Sequence, residues 1–347
     1  MWQMATDLPV VSIIVPLHNA EKYVRAAVRS IIDQKDVDLR TVELCVHDDA
    51  SRDDSMRALL AAIDEYDVRG TLHGVAVSRS DVQGGCGAAR NRAVAASSGR
   101  VLVFADSDDV MHPHRLANQV PLCLMHKNAL VGANFERDPI GSTPRYESYH
   151  ARLTTENLLA HAFRDCALVM PTVACHRAVL DKVGGFSEGD KVAEDLILVY
   201  EHLKHGGRLI KIPRVLVTYR YHDGMCSLLL TRQYLLRIRV KAFEALVLRF
   251  VEPSVPFLIW GAGRDGKNVF HALSAEGQAR VLAFLDVDPR KIANTLFGKP
   301  VRLFSSLSGA CFVGACVSLD RTDGAFERNV ASLSHCLVPG VNLFYLI

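Results

Sequence analysis

The sequence predicts an α/β protein with a mostly parallel sheet and a second, smaller α/β domain. Three observations lead to this prediction. Apolar, strand-like segments alternate with segments of helical spacing from the start of the chain. Residues 252–256, EPSVP, read as a linker and are followed by a new strand–helix–strand pattern. The chain has 347 residues, 49% of them hydrophobic, which is enough for one large domain or two of ordinary size.

The first half predicts four strands separated by helices. The strands are expected at 10–17, 42–48, 74–79 and 101–106, and the helices at 20–34, after Ser51 and at 84–97. The first strand, VVSIIVPL, is rich in Val and Ile, as in strands that are buried on both faces. In helix 20–34 the helical spacing places Tyr23 with Val24 and Ile31 on the apolar side. Ser51, three residues before Asp54, is predicted to cap the next helix.

Polar residues follow each of these four strands. Parallel strands of an open α/β sheet end at one edge, and ligands bind in the crevice beyond those ends. The residues concerned are His18 and Asn19, Asp48 and Asp49, Arg79, and Asp106 to Asp109. The sequence therefore predicts a single crevice that collects several acids and polar groups.

The second half is more mixed. A helix is predicted at 193–207, two short strands (RLIKIP and VLVTYRYH) follow it, and another helix is predicted at 231–250. We expect a first domain over residues 1–230, a helical connector over 231–252 and a Rossmann-like accessory domain over 253–347.

The stretch VLVFADSDD, residues 101–109, ends an apolar strand in three carboxylates. Neighbouring carboxylates repel each other unless a positive charge lies among them. A divalent cation with oxygen ligands removes this repulsion, and Asp106 and Asp108 are spaced so that both can face one ion. The stretch alone also allows an acidic turn that caps a helix. Asp109 is either a third ligand or such a cap.

Four motifs then follow one another over residues 16–109: PLHNAEKYV, DDASRDDS, AARNRAVAASSG and FADSDD. In this order they resemble the family 2 glycosyltransferases, which have the GT-A fold. His18 stands where an aromatic residue is usual. The later segments GGFSEGDKVAEDLILVYEHLKHGG and YRYHDGMCS resemble the acceptor side of the same family.

A narrower resemblance extends over most of the chain. The segments are FERDPIGSTPRY, VMPT, EDLILVYEHLKHGG, YRYH, IWGAGRDGK, FLDVDPRKI and SLDRTDGAFERN. They are similar to the β-1,3-N-acetylglucosaminyltransferase-like proteins, a group associated with galactosylation of queuosine in tRNA. The resemblance implies a queuosine-tRNA galactosyltransferase. Transfer of N-acetylglucosamine to a galactoside is the alternative that the family name suggests, and a non-catalytic RNA- or sugar-binding protein is another.

The family resemblance also assigns roles to residues. Asp106 and Asp108 would hold Mn²⁺ or Mg²⁺ against the diphosphate of a UDP-sugar, with His222 as a further contact. The base and the sugar nucleotide would be contacted by Pro16, Leu17, Asn19, Asp49, Arg90 and Asp106. For an inverting transfer, Asp195 matches the general base, and Glu194 beside it supports it or contacts the acceptor. From the residues alone, Arg90 is equally well a structural ion pair and His222 a structural histidine.

A second glycine pattern lies in IWGAGRDG. Gly261, Gly263 and Gly266 fit G-x-G-x-x-G after a strand, and Asp286 ends the next strand. The pattern is typical of dinucleotide binding and leaves open an NAD-dependent sugar oxidoreductase. The short remainder of the chain favours an accessory domain instead.

The remaining features concern partners and location. Basic residues crowd 231–250 and recur after it, and they are candidates for tRNA phosphate contacts or a solvated face; they are Arg232, Arg237, Arg239, Lys241, Arg249, Arg264, Lys267, Arg290 and Lys291. Nine scattered cysteines without a metal-binding spacing favour a reducing, cytoplasmic environment. The start of the chain does not resemble a signal peptide, and no apolar run is long enough for a membrane span. The oligomeric state stays open.

Overall fold

The computed structural model describes residues 9–317 and 322–347. The first eight residues and the first four of the segment SLDRTDGAFERN lie outside the described residues. Contacts divide the chain into two compact units, the first formed by 1–155 and 168–230 and the second by 156–167 and 231–347. In the described part of the chain, no helix combines the length and the apolar character that a bilayer span requires.

Up to residue 104, strands and helices alternate as predicted. From there to residue 220, the order of strands and helices is less regular. The elements are β1 Val11–Leu17, α1 Val24–Ile32, β2 Val42–Asp49, α2 Ser55–Glu65, α3 Val68–Thr71, β3 Gly74–Ser80, α4 Cys86–Ala95, β4 Val101–Phe104, β5 Val110–Met111, α5 Arg115–Met125, β6 Ala129–Asp138, α6 Pro144–Ala151, α7 Leu158–His161, β7 Ala174–His176, α8 Ala178–Val183, α9 Glu194–Lys204 and β8 Arg208–Arg220. Of these, α7 belongs to the second unit.

The first unit is built on one mixed sheet with the strand order β3-β2-β1-β4-β7-β6-β8-β5. The first four strands in this order are parallel, β7 is antiparallel to its neighbours β4 and β6, and β6 and β8 are parallel. All seven residues of β1 are buried, as the Val- and Ile-rich sequence predicts. The parallel half therefore brings the carboxyl ends of four strands to one edge.

The two short strands predicted after residue 207 are in fact one strand, β8. It pairs with β6 from end to end, with a shift in register where Ala133 faces Ile212 and Asn134 faces Val215. Pro213 and Arg214 fall in this bulge. Proline cannot donate to a ladder and suggests an interruption, but a bulge accommodates it without ending the strand.

The predicted Ser51 cap is wrong. Helix α2 begins at Ser55, and Asp54 precedes it without a side-chain cap. The Ser51 hydroxyl instead accepts the backbone N–H of Asn19 at 3.0 Å, and the Ser51 N–H donates to Asp48 at 3.0 Å. These bonds tie the loop after β1 to the loop after β2.

The second unit contains a smaller sheet. Its elements after residue 230 are α10 Arg232–Leu246, β9 Phe257–Trp260, α11 Arg264–Ala272, α12 Ala275–Arg280, β10 Val281–Asp286, β11 Thr295–Leu296, β12 Lys299–Leu303, β13 Phe312–Ala315, α13 Ala325–Ser332 and β14 Leu343–Tyr345. The strand order is β11-β12-β10-β9-β13-β14, with all strands but β11 parallel. This is the order of a Rossmann-like sheet, as expected. Our domain limits of 1–230, 231–252 and 253–347 stay a proposal, to which the contacts add residues 156–167 as part of the second unit.

Asp286 lies at the end of β10. In a dinucleotide-binding protein, the acid at this place accepts a hydrogen bond from the ribose hydroxyl. The Asp286 carboxylate accepts four hydrogen bonds from the protein itself, each at 2.9 or 3.0 Å. The donors are the N–H groups of Ala262, Val287 and Asp288 and the ammonium of Lys291. Four bonds use the acceptor sites that a carboxylate has. In this structure the carboxylate therefore holds the glycine turn together, which argues against the NAD alternative.

Candidate active site

The predicted site residues lie at the carboxyl edge of the parallel strands. The loop that follows β1 is joined to the end of β2 by the side chain of His18, whose Nδ1–H donates to the carbonyl of Asp49 at 2.7 Å. Its Nε2 accepts from Asn19 at 3.0 Å. Asn19 has a φ of 49° and accepts the N–H of Arg52 on its side-chain oxygen at 2.8 Å. These side chains therefore join the segment after β1 to the segment around the end of β2.

An acidic cluster follows β4. One carboxylate oxygen from each of Asp106, Asp108 and Asp109 lies within 4.8 Å of the others. Asp109 is 4% exposed, and one of its oxygens accepts the N–H of Arg220 at 2.9 Å. Its other oxygen is buried without a hydrogen-bond partner among the described residues. Burial raises the pKa of the Asp109 carboxyl, and the charges of Asp108 and Asp106 raise it further.

This cluster fits a divalent cation. Three carboxylates are the hard oxygen ligands that Mg²⁺ and Mn²⁺ bind, and the orphaned oxygen of Asp109 is an acceptor that lacks a donor. His222 lies beside the cluster, with Nε2 2.9 Å from a carboxylate oxygen of Asp108. The structure thus brings together all three residues that we predicted as metal ligands.

Arg90 connects this cluster to the start of α9. Its guanidinium donates to Asp106 at 2.8 Å and to Glu194 at 2.6 Å, and its side chain is 2% exposed. Burial raises the pKa of the Asp106 carboxyl, whereas the charge of Arg90 opposes this rise. In this arrangement Arg90 holds two carboxylates; a contact between Arg90 and a nucleotide stays a prediction.

The segment GGCGAARN explains how Arg90 reaches both acids. A Cβ on Gly85 or Gly87 would lie 2.1 Å from a backbone oxygen of the loop that leads to α9, Gly189 for the first and Ser187 for the second. Only glycine permits this close approach. Asn91 then accepts the N–H of Phe186 at 2.8 Å and donates to its carbonyl at 2.9 Å. Helix α4 is thereby fixed against the loop that leads to Glu194, the first residue of α9.

Asp195 is the second residue of α9. One of its carboxylate oxygens accepts the N–H of Leu196 at 2.7 Å, and the side chain is half-buried. An acid in the first turn is favoured by the helix dipole, which stabilises its negative charge. The structure places Asp195 directly beside Glu194, and its role as the general base stays a prediction.

The residues predicted to contact the nucleotide lie at the ends of β1 and β2. Pro16 and Leu17 are buried at the end of β1, paired with His47 and Asp48. The Asp49 carboxylate, 2% exposed, accepts the N–H of Gly84 and of Gly85, both at 2.8 Å. A bond to uracil would use its remaining lone pairs, and this contact stays a prediction.

Sequence reasoning missed three residues around the cluster. Tyr23 was expected within the first helix, but it directly precedes α1. Its ring stacks on His222. Arg220 contacts the loop of Asp108, and the guanidinium of Arg90 lies 5.5 Å from the ring of Phe186. The motif YRYH contains the signal for Arg220. Tyr23 and Phe186 carry no local signal that separates them from core aromatics.

Comparisons with known proteins give a consistent picture. The model of the family described as glycosyl transferase family 2 matches residues 12–184. The succinoglycan biosynthesis protein ExoO of Rhizobium meliloti is 27% identical over 258 residues, which are 70% of this chain and 69% of that protein. For several curated relatives, the matched part is a third or less of the relative's own length.

Two solved structures are similar in fold. TarS residues 1–349 from S. aureus, crystallised with UDP-GlcNAc, has a TM-score of 0.57 at 18% identity, covering 78% of this chain and 84% of that one. The mannosyltransferase PcManGT of Pyrobaculum calidifontis, in complex with GDP-Man and Mn²⁺, has a TM-score of 0.55 at 21% identity, covering 71% and 66%. At these identities the likeness concerns the fold alone.

Proposed function

The chain belongs to glycosyltransferase family 2 and has the GT-A fold, and from this premise we propose that it transfers galactose from UDP-galactose to queuosine in tRNA. The proposed reaction is inverting, depends on Mn²⁺ or Mg²⁺ and takes place in the cytoplasm. The resemblance described above supports the donor and the acceptor, and the nine free cysteines agree with the location.

The observation that carries the proposal is the Arg90 bridge. It links Asp106 of the acidic cluster to Glu194, the neighbour of Asp195, through two direct ion pairs. A transfer needs a positive charge at the leaving diphosphate and a base near the attacking hydroxyl. The bridge supports the proposal because it joins a proposed metal ligand to the neighbour of the proposed base, and such a reaction requires both groups to be held in position.

In the proposed reaction, Asp195 takes the proton of the acceptor hydroxyl. The oxygen of that hydroxyl bonds to the anomeric carbon of galactose at the same time. The bond between that carbon and the diphosphate oxygen breaks, and UDP leaves with the electron pair. A cation held by Asp106 and Asp108 would neutralise the charge on the diphosphate. Asp49 would accept the ring N–H of uracil and so select the base.

Charge distribution supports a polyanionic acceptor. Residues 231–347 contain 14 Lys and Arg against 9 Asp and Glu, whereas residues 1–230 contain 26 against 29. Arg237 and Lys241 lie one turn apart on α10 and are exposed, and neither has an ion-pair partner among the described residues. Arg239 is different because it pairs with Asp165 at 3.1 Å. Unpaired cations of this kind suit contacts with phosphates.

Replacing both free cations, Arg237→Gln with Lys241→Gln, is expected to weaken tRNA binding on the order of tenfold at low salt. The slope of log affinity against log salt should fall by about two, one for each lost phosphate contact. The measurement is a tRNA-binding titration at several salt concentrations. The matched control is Arg69→Gln with Lys127→Gln. Both residues are exposed, and they precede the amino ends of strands β3 and β6 in the first sheet. Equal effects of the two pairs would contradict a specific role of α10.

Removal of one acid, Asp108→Ala, is expected to weaken UDP binding in the presence of Mn²⁺ by about 10- to 100-fold. The affinity for UDP without metal should stay unchanged, because the acid acts through the cation. Isothermal titration with and without Mn²⁺ measures both values. Asp64→Ala, an exposed acid of α2, is the control. Unchanged metal-dependent affinity would remove Asp108 from the site.

A second candidate is transfer of N-acetylglucosamine to a galactoside. It is favoured by TarS, the structural neighbour crystallised with UDP-GlcNAc. The curated relatives include proteins named for teichuronic acid and succinoglycan biosynthesis.

The deciding experiment is a turnover assay with Mn²⁺ that offers each UDP-sugar with each acceptor. The acceptors are queuosine-containing tRNA, the same tRNA without queuosine, and a simple β-galactoside. Galactose on the queuosine-containing tRNA alone would support the proposal. Sugar on the galactoside alone would overturn the tRNA acceptor and leave the family 2 chemistry in place.

A further inference from the structure

Tyr23 occupies a special place at the edge of the acidic cluster. It lies directly before α1, and its ring contacts two side chains at the end of β8. The ring centroids of Tyr23 and His222 are 4.8 Å apart with an interplanar angle of 25°, which is a stacked pair. The guanidinium carbon of Arg220 lies 5.5 Å from the centroid of the same ring. Such cation–π and stacking contacts restrain both partners.

Both partners of Tyr23 bind the acidic cluster. The Nε2–H of His222 donates to the Asp108 carboxylate at 2.9 Å. Arg220 donates through its guanidinium to the Asp108 carbonyl at 2.8 Å and through its backbone N–H to the Asp109 carboxylate at 2.9 Å. The positions of two of the three acids therefore depend on residues that Tyr23 touches, although Tyr23 binds none of the acids itself.

We propose that Tyr23 is a positioning residue of the metal site. Its ring fixes the imidazole of His222 and the guanidinium of Arg220, so that Asp108 and Asp109 keep their places before a cation binds. Without the ring, an imidazole on the segment after β8 can turn between rotamers, and its bond to Asp108 becomes one of several alternatives. Because these groups are ordered in advance, metal binding costs less conformational entropy.

The ring, not the hydroxyl, carries this role. The Tyr23 hydroxyl forms no hydrogen bond within the part of the chain that the structure describes, whereas the ring has both contacts. Phenylalanine keeps the aromatic surface and an aliphatic residue does not. The proposal depends on the acidic cluster alone, and it holds for any sugar donor or acceptor.

The test compares Tyr23→Leu with Tyr23→Phe in the whole 347-residue chain. Mn²⁺ binding is measured without nucleotide, from the electron paramagnetic resonance signal of the free ion. Tyr23→Leu is expected to raise the Kd for Mn²⁺ about three- to tenfold, and Tyr23→Phe less than twofold. In turnover, excess Mn²⁺ should restore kcat in Tyr23→Leu, a rescue that a merely structural defect would not show. Equal Mn²⁺ affinity of Tyr23→Leu and the unchanged protein would overturn the proposal.

Two further measurements separate the ring from general packing. In a His222→Ala background, Tyr23→Leu should lower the affinity for Mn²⁺ clearly less than it does in the wild-type protein, because part of its effect passes through His222. An undiminished loss there would contradict the coupling. The ring protons of His222 should also show an upfield NMR shift from the stacked Tyr23. This shift is read in the unchanged protein, so its absence overturns the proposal even if Tyr23→Leu does not fold.

Discussion

Asp195→Asn is expected to reduce kcat by on the order of 10³-fold or more, with UDP affinity unchanged. A general base contributes roughly 10²- to 10⁴-fold to such a transfer, and asparagine keeps the shape of the side chain without the basic oxygen. The bond from the Leu196 N–H can still form to the amide oxygen, so the start of α9 should stay intact. Single-turnover transfer and UDP titration measure the two quantities.

Two controls interpret this result. Asp181→Asn, on the exposed side of α8, should behave as the unchanged protein. Glu194→Gln should lower kcat less than Asp195→Asn, since Glu194 supports the site through Arg90 and does not take the proton in our proposal. Transfer at the normal rate in Asp195→Asn would show that the base is a different residue.

Arg90→Met is expected to destabilise the metal-free protein by about 3–5 kcal/mol. Methionine fills a similar volume, but the carboxylates of Asp106 and Glu194 then face each other without the buried cation that separates them. Breaking a buried ion pair from one side leaves uncompensated charge, which costs far more than loss of an exposed pair. Urea unfolding of the protein measures the free energy of unfolding of the first unit.

The matched comparison is Arg57→Met, which removes an exposed arginine that pairs with Asp54 on the surface. It should change stability by less than about 1 kcal/mol. The double variant Arg90→Met with Glu194→Gln should recover part of the loss, because only one buried carboxylate then lacks a partner. A loss no larger for Arg90→Met than for Arg57→Met would show that the bridge adds little to the fold.

The parallel half of the first sheet could be predicted because its information is local. Strand β1 is a continuous apolar run, and each of the four strands ends in polar residues. In parallel βα repeats, these ends meet at one edge, so the position of Asp106 and Asp49 at that edge follows from topology. The parallel arrangement of the four strands was therefore confirmed without knowledge of any contact, and the crevice beyond their ends stays a prediction.

The other half of the sheet could not be predicted in the same way. Strand β8 tolerates Pro213 only because β6 shifts register opposite it, and this depends on a partner strand far away in sequence. Tyr23 meets His222 for a similar reason, since the amphipathic pattern of α1 does not tell a core aromatic from one that faces a loop. Local patterns indicate which residues can be buried, but tertiary pairing decides what they touch.

The short helix α7 has a consequence for how the chain can be divided. It lies within residues 156–167, which come before the last part of the first unit in sequence but pack in the second unit. There the ring of His161 stacks on Tyr345 at 4.1 Å, and Ala160 joins the core around Trp260. A gene fragment that starts at residue 231 therefore encodes an incomplete core with an exposed apolar face. During synthesis, this segment is made well before strand β14, against which it packs in the folded unit. Transplanting the second unit into another protein requires two separate inserts.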